Sequence, residues 1–288
     1  MRRWLVAGGT GFIGKRFVKQ LRGSGDEIFC LSRSEANDTI VGDIFDARRM
    51  RDVLETIAPT HLALLAWTTE HGVFWSDPAN QAWHVASSSL AERFLVTGGK
   101  AILGVGTCAE YDWDGSTLVE DRTAIRPRTA YGLAKAALWS DLTAACEHYG
   151  ACFTWARMFF VYGPGEDPDK LVTSLVRSGI DGEPARLREP ERRLDFVHVD
   201  DAARALALLA ALEAPGAYNV ASGAGTALRD VASLAGALLA PADTISMNER
   251  EPDVVGDIAR LSKLGWAPDV ELPAGIAQLR RSLLGEGV

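Results

Sequence analysis

Trp4-Leu5-Val6-Ala7-Gly8-Gly9-Thr10-Gly11-Phe12-Ile13-Gly14 stands near the start of the chain, and its reading decides the fold. An unbroken apolar run leads into glycines at 8, 11 and 14. Phe12 to Gly23 then carries apolar residues at 13, 17, 18 and 21, the spacing of one helix face. The expected unit is a buried strand, a tight turn and a helix N-terminus. Such a terminus offers unpaired N–H groups and partial positive charge, which suit a pyrophosphate. Gly8 would permit the turn, Gly11 would let phosphates approach the backbone, and Gly14 would let helix and strand pack closely. The spacing is G-x-x-G-x-x-G, not the commoner G-x-G-x-x-G. A Gly-rich turn in some other βα unit has the same local signature, so the rest of the chain has to decide.

The pattern continues as strand, helix, strand. Ile28 to Leu31 reads as a buried strand, Ile40 to Asp43 as a short strand ending in an acid, and His61 to Ala66 and Ala101 to Val105 as the next strands. Helices are expected from near Asp46, over 78–97 and from Tyr131 to Tyr149. The strand at 28–31 ends in Ser32 and Arg33. A carboxylate there would hold the ribose hydroxyls of NAD. Its absence removes repulsion against a 2′-phosphate, and Arg33 can pair with one. NADP(H) is therefore the favoured cofactor, with NAD(H) the alternative if Arg33 is only a solvated loop residue. Asp43, with Ile44 beside it, either meets the adenine amine or caps the next helix. Leu65, Ala66 and Trp67 end their strand where open α/β sheets bind ligands. Thr68, Thr69, Glu70 and His71 follow as candidate contacts.

Composition narrows the class. The 288 residues are 47% hydrophobic and 24% charged, ordinary for a globular protein with ample core. A net charge of −8 gives no global attraction to nucleic acid or an anionic membrane, so a phosphate site must be built locally. No apolar run reaches the about 18 residues of a membrane span. Met1-Arg2-Arg3 leads at once into the strand, without a secretory-signal pattern. Cys30, Cys108, Cys146 and Cys152 show no metal-ligand spacing, and no metal is expected. They read as reduced thiols of a cytoplasmic protein.

The fifth strand runs into Gly106-Thr107-Cys108-Ala109-Glu110-Tyr111, and Tyr131-Gly132-Leu133-Ala134-Lys135 follows further on. Tyr131 and Lys135 are i and i+4 and share a helix face. An ammonium beside a phenol favours the phenolate and would lower its pKa. That makes Tyr131 a candidate acid/base for a carbonyl–alcohol pair, with Thr107 on the same oxygen. Alone, such a pair is most often an ordinary helix pair; after a Gly-rich turn and a fifth strand it carries weight.

Taken together, these stretches resemble an extended short-chain dehydrogenase/reductase of the NAD-dependent epimerase/dehydratase group, which acts largely on nucleotide sugars. Further matching segments are Gly42-Asp43, Arg157, Val161-Tyr162-Gly163-Pro164-Gly165, Asp195 to Asp201, Tyr218-Asn219-Val220 and Arg250-Glu251-Pro252-Asp253. The resemblance implies that Tyr131 is the acid/base, that Lys135 binds the nicotinamide ribose and tunes Tyr131, and that Thr107 positions the sugar oxygen. It implies pyrophosphate contacts at Gly8, Gly11 and Gly14, with Phe12 and Ile13 passing over the cofactor by backbone. Arg250 aligns with an arginine that binds the substrate's diphosphate. Thr68, Cys108 and Arg193 are further candidates for the substrate. A homodimer built on helices such as the one bearing Tyr131 is also implied.

Departures from the family pattern bear on the reaction. Members that dehydrate sugars place an Asp-Glu pair directly after the Ser/Thr; here those positions are Cys108 and Ala109, and Glu110 comes one residue late. Dehydration then lacks evident acid/base groups. Phe160 replaces a frequent Asn, and Leu194 replaces an Arg beside Arg192 and Arg193.

The expected fold is α/β, a Rossmann-type doubly wound parallel sheet with a smaller C-terminal lobe for substrate. A dinucleotide domain is expected over 1–165 and a substrate domain over 166–288, with about 194–222 returning to the first. In the second half, Arg186, Arg188, Arg192 and Arg193 make a basic cluster that either meets a diphosphate or is a solvated loop. The active site is expected between the lobes. The expected activity is NADPH-dependent reduction of a nucleotide-linked 4-keto-(6-deoxy) sugar, with hydride to C4 and a proton from Tyr131. A 4-epimerase that retains NAD is the alternative, and a non-catalytic dinucleotide-binding protein the remote one.

Overall fold

The computed structural model describes the chain except residues 36–38, 69, 71, 242–249 and 287–288. Thr69 and His71 therefore lie outside the described residues. Along the chain come β1 (Arg3–Ala7), α1 (Gly14–Arg22), β2 (Glu27–Ser32), β3 (Thr39–Val41), α2 (Ala47–Ile57) and β4 (His61–Leu64). Next are α3 (Ala79–Val96), β5 (Ala101–Thr107), α4 (Ala130–Tyr149), β6 (Cys152–Met158), β7 (Phe160–Tyr162) and α5 (Leu171–Asp181). The remainder is β8 (Arg193–His198), α6 (Val199–Leu212), β9 (Gly216–Val220), β10 (Gly225–Ala227), α7 (Leu228–Ala235), α8 (Ala259–Ser262) and α9 (Leu272–Leu283).

Among the described residues, seven strands form a sheet in the order β3-β2-β1-β4-β5-β6-β9. The pairs β1/β2, β1/β4, β2/β3 and β4/β5 are parallel. The order runs outward from β1 in both directions, which is the doubly wound Rossmann arrangement with flanking helices. Strands covered on both faces read as continuous apolar runs, and β1 from Trp4 to Ala7 is buried throughout. Helix α1 buries Phe17, Val18 and Leu21 and exposes Lys15, Lys19 and Arg22, as its spacing predicts. Asp46 caps α2 by accepting from the N–H groups of Arg48 and Arg49 at 3.0 and 2.9 Å. Asp43 instead accepts from Phe45 N–H at 3.0 Å.

Two element ends depart from expectation. Strand β4 stops at Leu64, because the N–H groups of Leu65 and Ala66 both turn to the carbonyl of Ala7. The amphipathic spacing of Leu228 to Leu239 predicts one helix, but α7 stops at Ala235, four residues early, because Gly236 takes a left-handed φ of 72°.

By internal contacts the chain forms two compact units. The first comprises residues 1–112, 124–157 and 203–218; the second comprises 113–123, 158–202 and 219–288. The first holds a core that includes Leu5, Leu62, Leu90, Phe94, Ile102 and Trp155. In the second, β10 pairs antiparallel with β8, and β7 pairs parallel with it. Asp195 is fully buried there and accepts from the N–H groups of Ser222, Gly223 and Gly256 and from the Ser222 hydroxyl. That carboxylate stitches three segments, which is the physical use of the Asp-Phe-Val-His stretch. Trp266 is a core anchor, its indole N–H donating to the carbonyl of Asp201 at 3.3 Å. No described helix is long and apolar enough to cross a membrane. The cysteines are free, and Cys30, Cys108 and Cys146 are buried.

Glu166 in the second unit makes stability depend on pH. Burial raises its pKa to about 7, although the Thr173 hydroxyl donates to it at 2.7 Å and Lys170 pulls the other way. The folded chain thus keeps a proton that the unfolded chain has released. This contribution is complete below the unfolded value of 4.5 and is lost as pH rises through about 7. Glu166→Gln should flatten that part of the profile when urea midpoints are measured from about pH 5 to 8. Parent and variant curves that stay parallel would contradict it.

Candidate functional site

The turn after β1 is fixed by close approach. Gly8 has a φ of 88°, and a Cβ there would lie 2.6 Å from the backbone nitrogen of Ala66. A Cβ at Gly14 would lie 2.0 Å from the Gly8 carbonyl oxygen, so strand, turn and helix close on one another only without side chains. Gly11 is exposed, and a Cβ on it would approach only the Gly8 oxygen, at 3.3 Å. Ile13 is the N-cap of α1 and supplies no side-chain hydrogen bond, and no acid stands in the first turn. Exposed backbone at an uncapped helix start with no competing carboxylate fits the pyrophosphate of a dinucleotide. Phe12 is half-buried, and its carbonyl accepts from Arg16 at 3.1 Å.

At the end of β2, Ser32 accepts from Ser34 N–H at 3.3 Å, and Arg33 is exposed. Ile44 is buried; Leu65, Ala66, Trp67 and Thr68 are half-buried.

Thr107, Tyr131 and Lys135 come together. Thr129 caps α4 by accepting from Gly132 N–H at 3.0 Å, which puts Tyr131 in the first turn and Lys135 one turn on. A Cβ at Gly132 would sit 2.3 Å from the Ala109 carbonyl oxygen, so the helix start lies directly on the turn after β5. The Thr107 side chain stands close enough to the Tyr131 phenol to favour its ionised form. Lys135, 2% exposed, donates from Nζ to the Val105 carbonyl at 2.7 Å. Its Nζ also stands 3.9 Å from the centre of the Trp67 ring.

The electrostatics differ from the sequence expectation. Burial pushes the Tyr131 phenol above its ordinary pKa, against the lowering effect of Thr107; Cys108 and Glu110 add to the rise. No lowering by Lys135 offsets that rise. Burial draws Lys135 itself down to about 7, opposed by the Glu110 carboxylate.

Glu110 is fully buried and committed. It accepts from Thr107 N–H at 2.8 Å, from the Trp155 indole at 3.1 Å and from Arg157 Nε at 2.7 Å. Arg157 also donates to the Tyr111 hydroxyl at 3.0 Å, and its guanidinium lies over the rings of Tyr111 and Trp139. Burial works to lower the Arg157 pKa, and Glu110 and Tyr111 together more than offset it, holding the group above its ordinary value. Cys108 and Ala109, at the positions of the dehydratase acids, are buried and carry no carboxylate.

Sequence reasoning missed an aromatic wall. Tyr131 makes edge contacts with Trp67, Phe74 and Trp75 at centroid distances of 6.4, 5.1 and 5.8 Å. The Tyr131 N–H donates to the Trp75 carbonyl at 3.2 Å. The density of aromatics between Trp67 and Trp83 was the available signal.

The remaining candidates belong to the second unit. Arg193 is exposed, its guanidinium donates to the Gly225 carbonyl, and its N–H donates to Asp253 at 2.8 Å. Arg192 donates to the Pro252 carbonyl at 3.0 Å and lies over the Trp113 ring. Arg186, Arg188 and Arg250 are exposed. Among the described residues no cluster of His, Cys, Asp and Glu could hold a metal ion.

Comparison with known proteins agrees with this construction. The NAD-dependent epimerase/dehydratase family model matches residues 4–221, and the chain belongs to that family of oxidoreductase-type enzymes. A dTDP-L-rhamnose 4-epimerase of Burkholderia thailandensis is 25% identical, over 97% of this chain and 94% of its own. A dTDP-glucose 4,6-dehydratase of Streptomyces niveus is 26% identical, over 96% and 91%. A UDP-glucose 4-epimerase of Thermus thermophilus, solved with NAD, superposes with a TM-score of 0.83 at 26% identity, over 99% of this chain and 100% of its own.

Glu110→Gln tests the buried pair. It leaves Arg157 charged in a fully buried place, and stability should fall by about 3–5 kcal/mol. Urea unfolding reads this directly; a loss below about 1 kcal/mol, the range of an exposed pair, would contradict it.

Proposed function

We propose that the chain is an NADPH-dependent reductase of a nucleotide-linked 4-keto sugar, with a 6-deoxy-4-hexulose as the substrate class. The observation that carries this reading is the placing of Tyr131 and Lys135 on the start of α4 against the end of β5 that bears Thr107, with no carboxylate at Cys108 or Ala109. A protonated phenol is a proton donor, the group that a ketone becoming an alcohol needs. Dehydration needs a further acid and base, and Glu110 is spent on Arg157, Trp155 and Thr107.

Each residue then has a role. Gly8, Gly11 and Gly14 cradle the dinucleotide pyrophosphate at the start of α1, with Phe12 and Ile13 passing over it by backbone. Ser32 and Arg33 meet the adenosine 2′-phosphate, where no carboxylate repels it. Asp43, Ile44, Leu65, Ala66 and Trp67 surround the rest of the cofactor. When bound, the nicotinamide supplies the hydride equivalent for C4. Tyr131 gives its proton to the C4 oxygen, and Thr107 hydrogen-bonds the same oxygen. Lys135 holds the nicotinamide ribose. Thr68 and Cys108 lie on the substrate side, and Arg250 and Arg193 face the substrate's diphosphate. For Arg193 the existing bond to Gly225 means that one guanidinium edge is already used. The domain assignment follows: the first unit serves the cofactor, and the second the nucleotide sugar.

A 4-epimerase that retains NAD is the second reading. It uses the same Thr107, Tyr131 and Lys135, and the 4-epimerases among the relatives favour it. Arg33 at the end of β2 favours free NADPH instead. The homodimer remains part of the proposal, supported by exposed Val85 on α3 and exposed Leu133 and Tyr149 on α4.

The deciding experiment mixes purified protein with NADPH, or NADH, and nucleotide-linked 4-keto-6-deoxy sugars, and follows reduced-nicotinamide absorbance. Stoichiometric loss with NADPH is expected. No loss, together with interconversion of 4-epimeric nucleotide sugars, would replace the reductase by the epimerase. Tyr131→Phe should lower turnover by at least about 10²-fold and leave NADPH binding in place. Unchanged turnover would remove Tyr131 from the mechanism.

A further inference from the structure

Lys135 is a long, flexible cation inside the protein, and one chain of contacts accounts for where its ammonium sits. The Val105 carbonyl takes one N–H, and the face of the Trp67 indole lies 3.9 Å away. The indole is held in turn: its Nε1–H donates to Asn80 Oδ1 at 2.8 Å. Asn80 is 1% exposed at the start of α3, and its amide donates to the carbonyls of Phe74 and Asp77 at 2.7 and 2.9 Å. Both amide hydrogens are thus used, which fixes which end of the amide faces Trp67.

We propose that Asn80 and Trp67 form a positioning relay for Lys135: the amide sets the indole, and the indole face sets the ammonium for the vicinal hydroxyls of the cofactor ribose. The argument is one of donor arithmetic. An ammonium has three N–H donors and no acceptor. A carbonyl in place of the indole would consume a second donor in a fixed direction. A π face attracts the charge without a directional acceptor, so two donors remain for a ligand. The face also removes rotamer freedom that a buried lysine would otherwise lose on binding. Trp67 and Asn80 touch no reacting atom in this scheme; beyond the cofactor contact already given to Trp67, both act through Lys135, so Trp67→Leu should lose most of its effect in a Lys135→Met background. The relay rests on the reading of Lys135 as the ribose-binding residue.

The test measures affinity of the full-length protein for NADPH, with NADH in parallel, by fluorescence titration of the reduced nicotinamide. Trp67→Leu should weaken binding about tenfold, the size of a desolvated cation–π contact. Trp67→Phe keeps a π face but loses the Nε1–H that Asn80 holds, so it should weaken binding as Asn80→Ala does and less than Trp67→Leu; a merely structural role would show no such grading. Asn80→Ala should weaken binding in the parent and add nothing in the Trp67→Leu background, as residues acting in series do. Unchanged or tighter binding in Trp67→Leu overturns the relay, and so does full additivity of the two substitutions. Should Asn80→Ala not fold, the Leu and Phe variants at 67 decide by themselves. Lys135→Met separates this proposal from the one beneath it. If Lys135→Met leaves affinity unchanged, the ribose role of Lys135 falls and the relay with it. If Lys135→Met weakens binding while Trp67→Leu does not, the relay alone falls.

Discussion

A carboxylate sealed from water governs the centre of this molecule. Glu110 has no solvent to turn to, so the N–H of Thr107, the indole of Trp155 and the guanidinium of Arg157 converge on it. A buried ion with fewer donors would cost several kcal/mol, and this requirement leaves the surrounding backbone one arrangement. It ties the end of β5 to β6 and closes the 3₁₀ turn from Cys108 to Glu110 as a capping box on Thr107. The Thr107 hydroxyl is consequently held where it meets Tyr131. In the pattern of the members that dehydrate sugars, an Asp-Glu pair directly follows the Ser/Thr as acid and base. Here the carboxylate comes one residue later and points into the protein, onto Thr107 N–H, Trp155 and Arg157.

The second constraint is that helix starts sit on turns at backbone distance. Gly14 against Gly8, and Gly132 against Ala109, leave no room for even one carbon. In both places the absent side chain brings a helix N-terminus onto the end of a strand. Backbone proximity thus sets the reactive geometry before any side chain is considered.

Much of this was legible in the chain. The glycine spacing, the alternation of apolar strands and amphipathic helices, and the i, i+4 pair of Tyr131 and Lys135 are local patterns, and local patterns survive in sequence. What could not be read depends on residues distant in sequence meeting in space. The Lys135 ammonium looked like the partner of Tyr131; it is instead engaged by Val105 and Trp67, thirty and sixty-eight positions away. Burial then moves the phenol in the opposite direction from the one the pair alone implies. Arg193 read as a diphosphate ligand, yet it is partly committed to a backbone carbonyl on β10, a pairing set by strand register. The early end of α7 was, by contrast, written in Gly236.

The division of the chain into units has a consequence for how it is made. The polypeptide changes unit after residues 112, 123, 157, 202 and 218, and β9 at the edge of the large sheet is formed only by residues 216–220. A ribosome delivering the chain from its N-terminus releases β1 to β6 long before their last neighbour arrives. The nascent sheet must wait with the β6 edge unpaired, and unpaired strand edges are where chains associate wrongly. Neither unit can be completed as one uninterrupted stretch: the first is whole only at residue 218 and the second only at residue 288. A truncation anywhere before about residue 220 would therefore cost both units at once, where two domains in tandem would lose only the second.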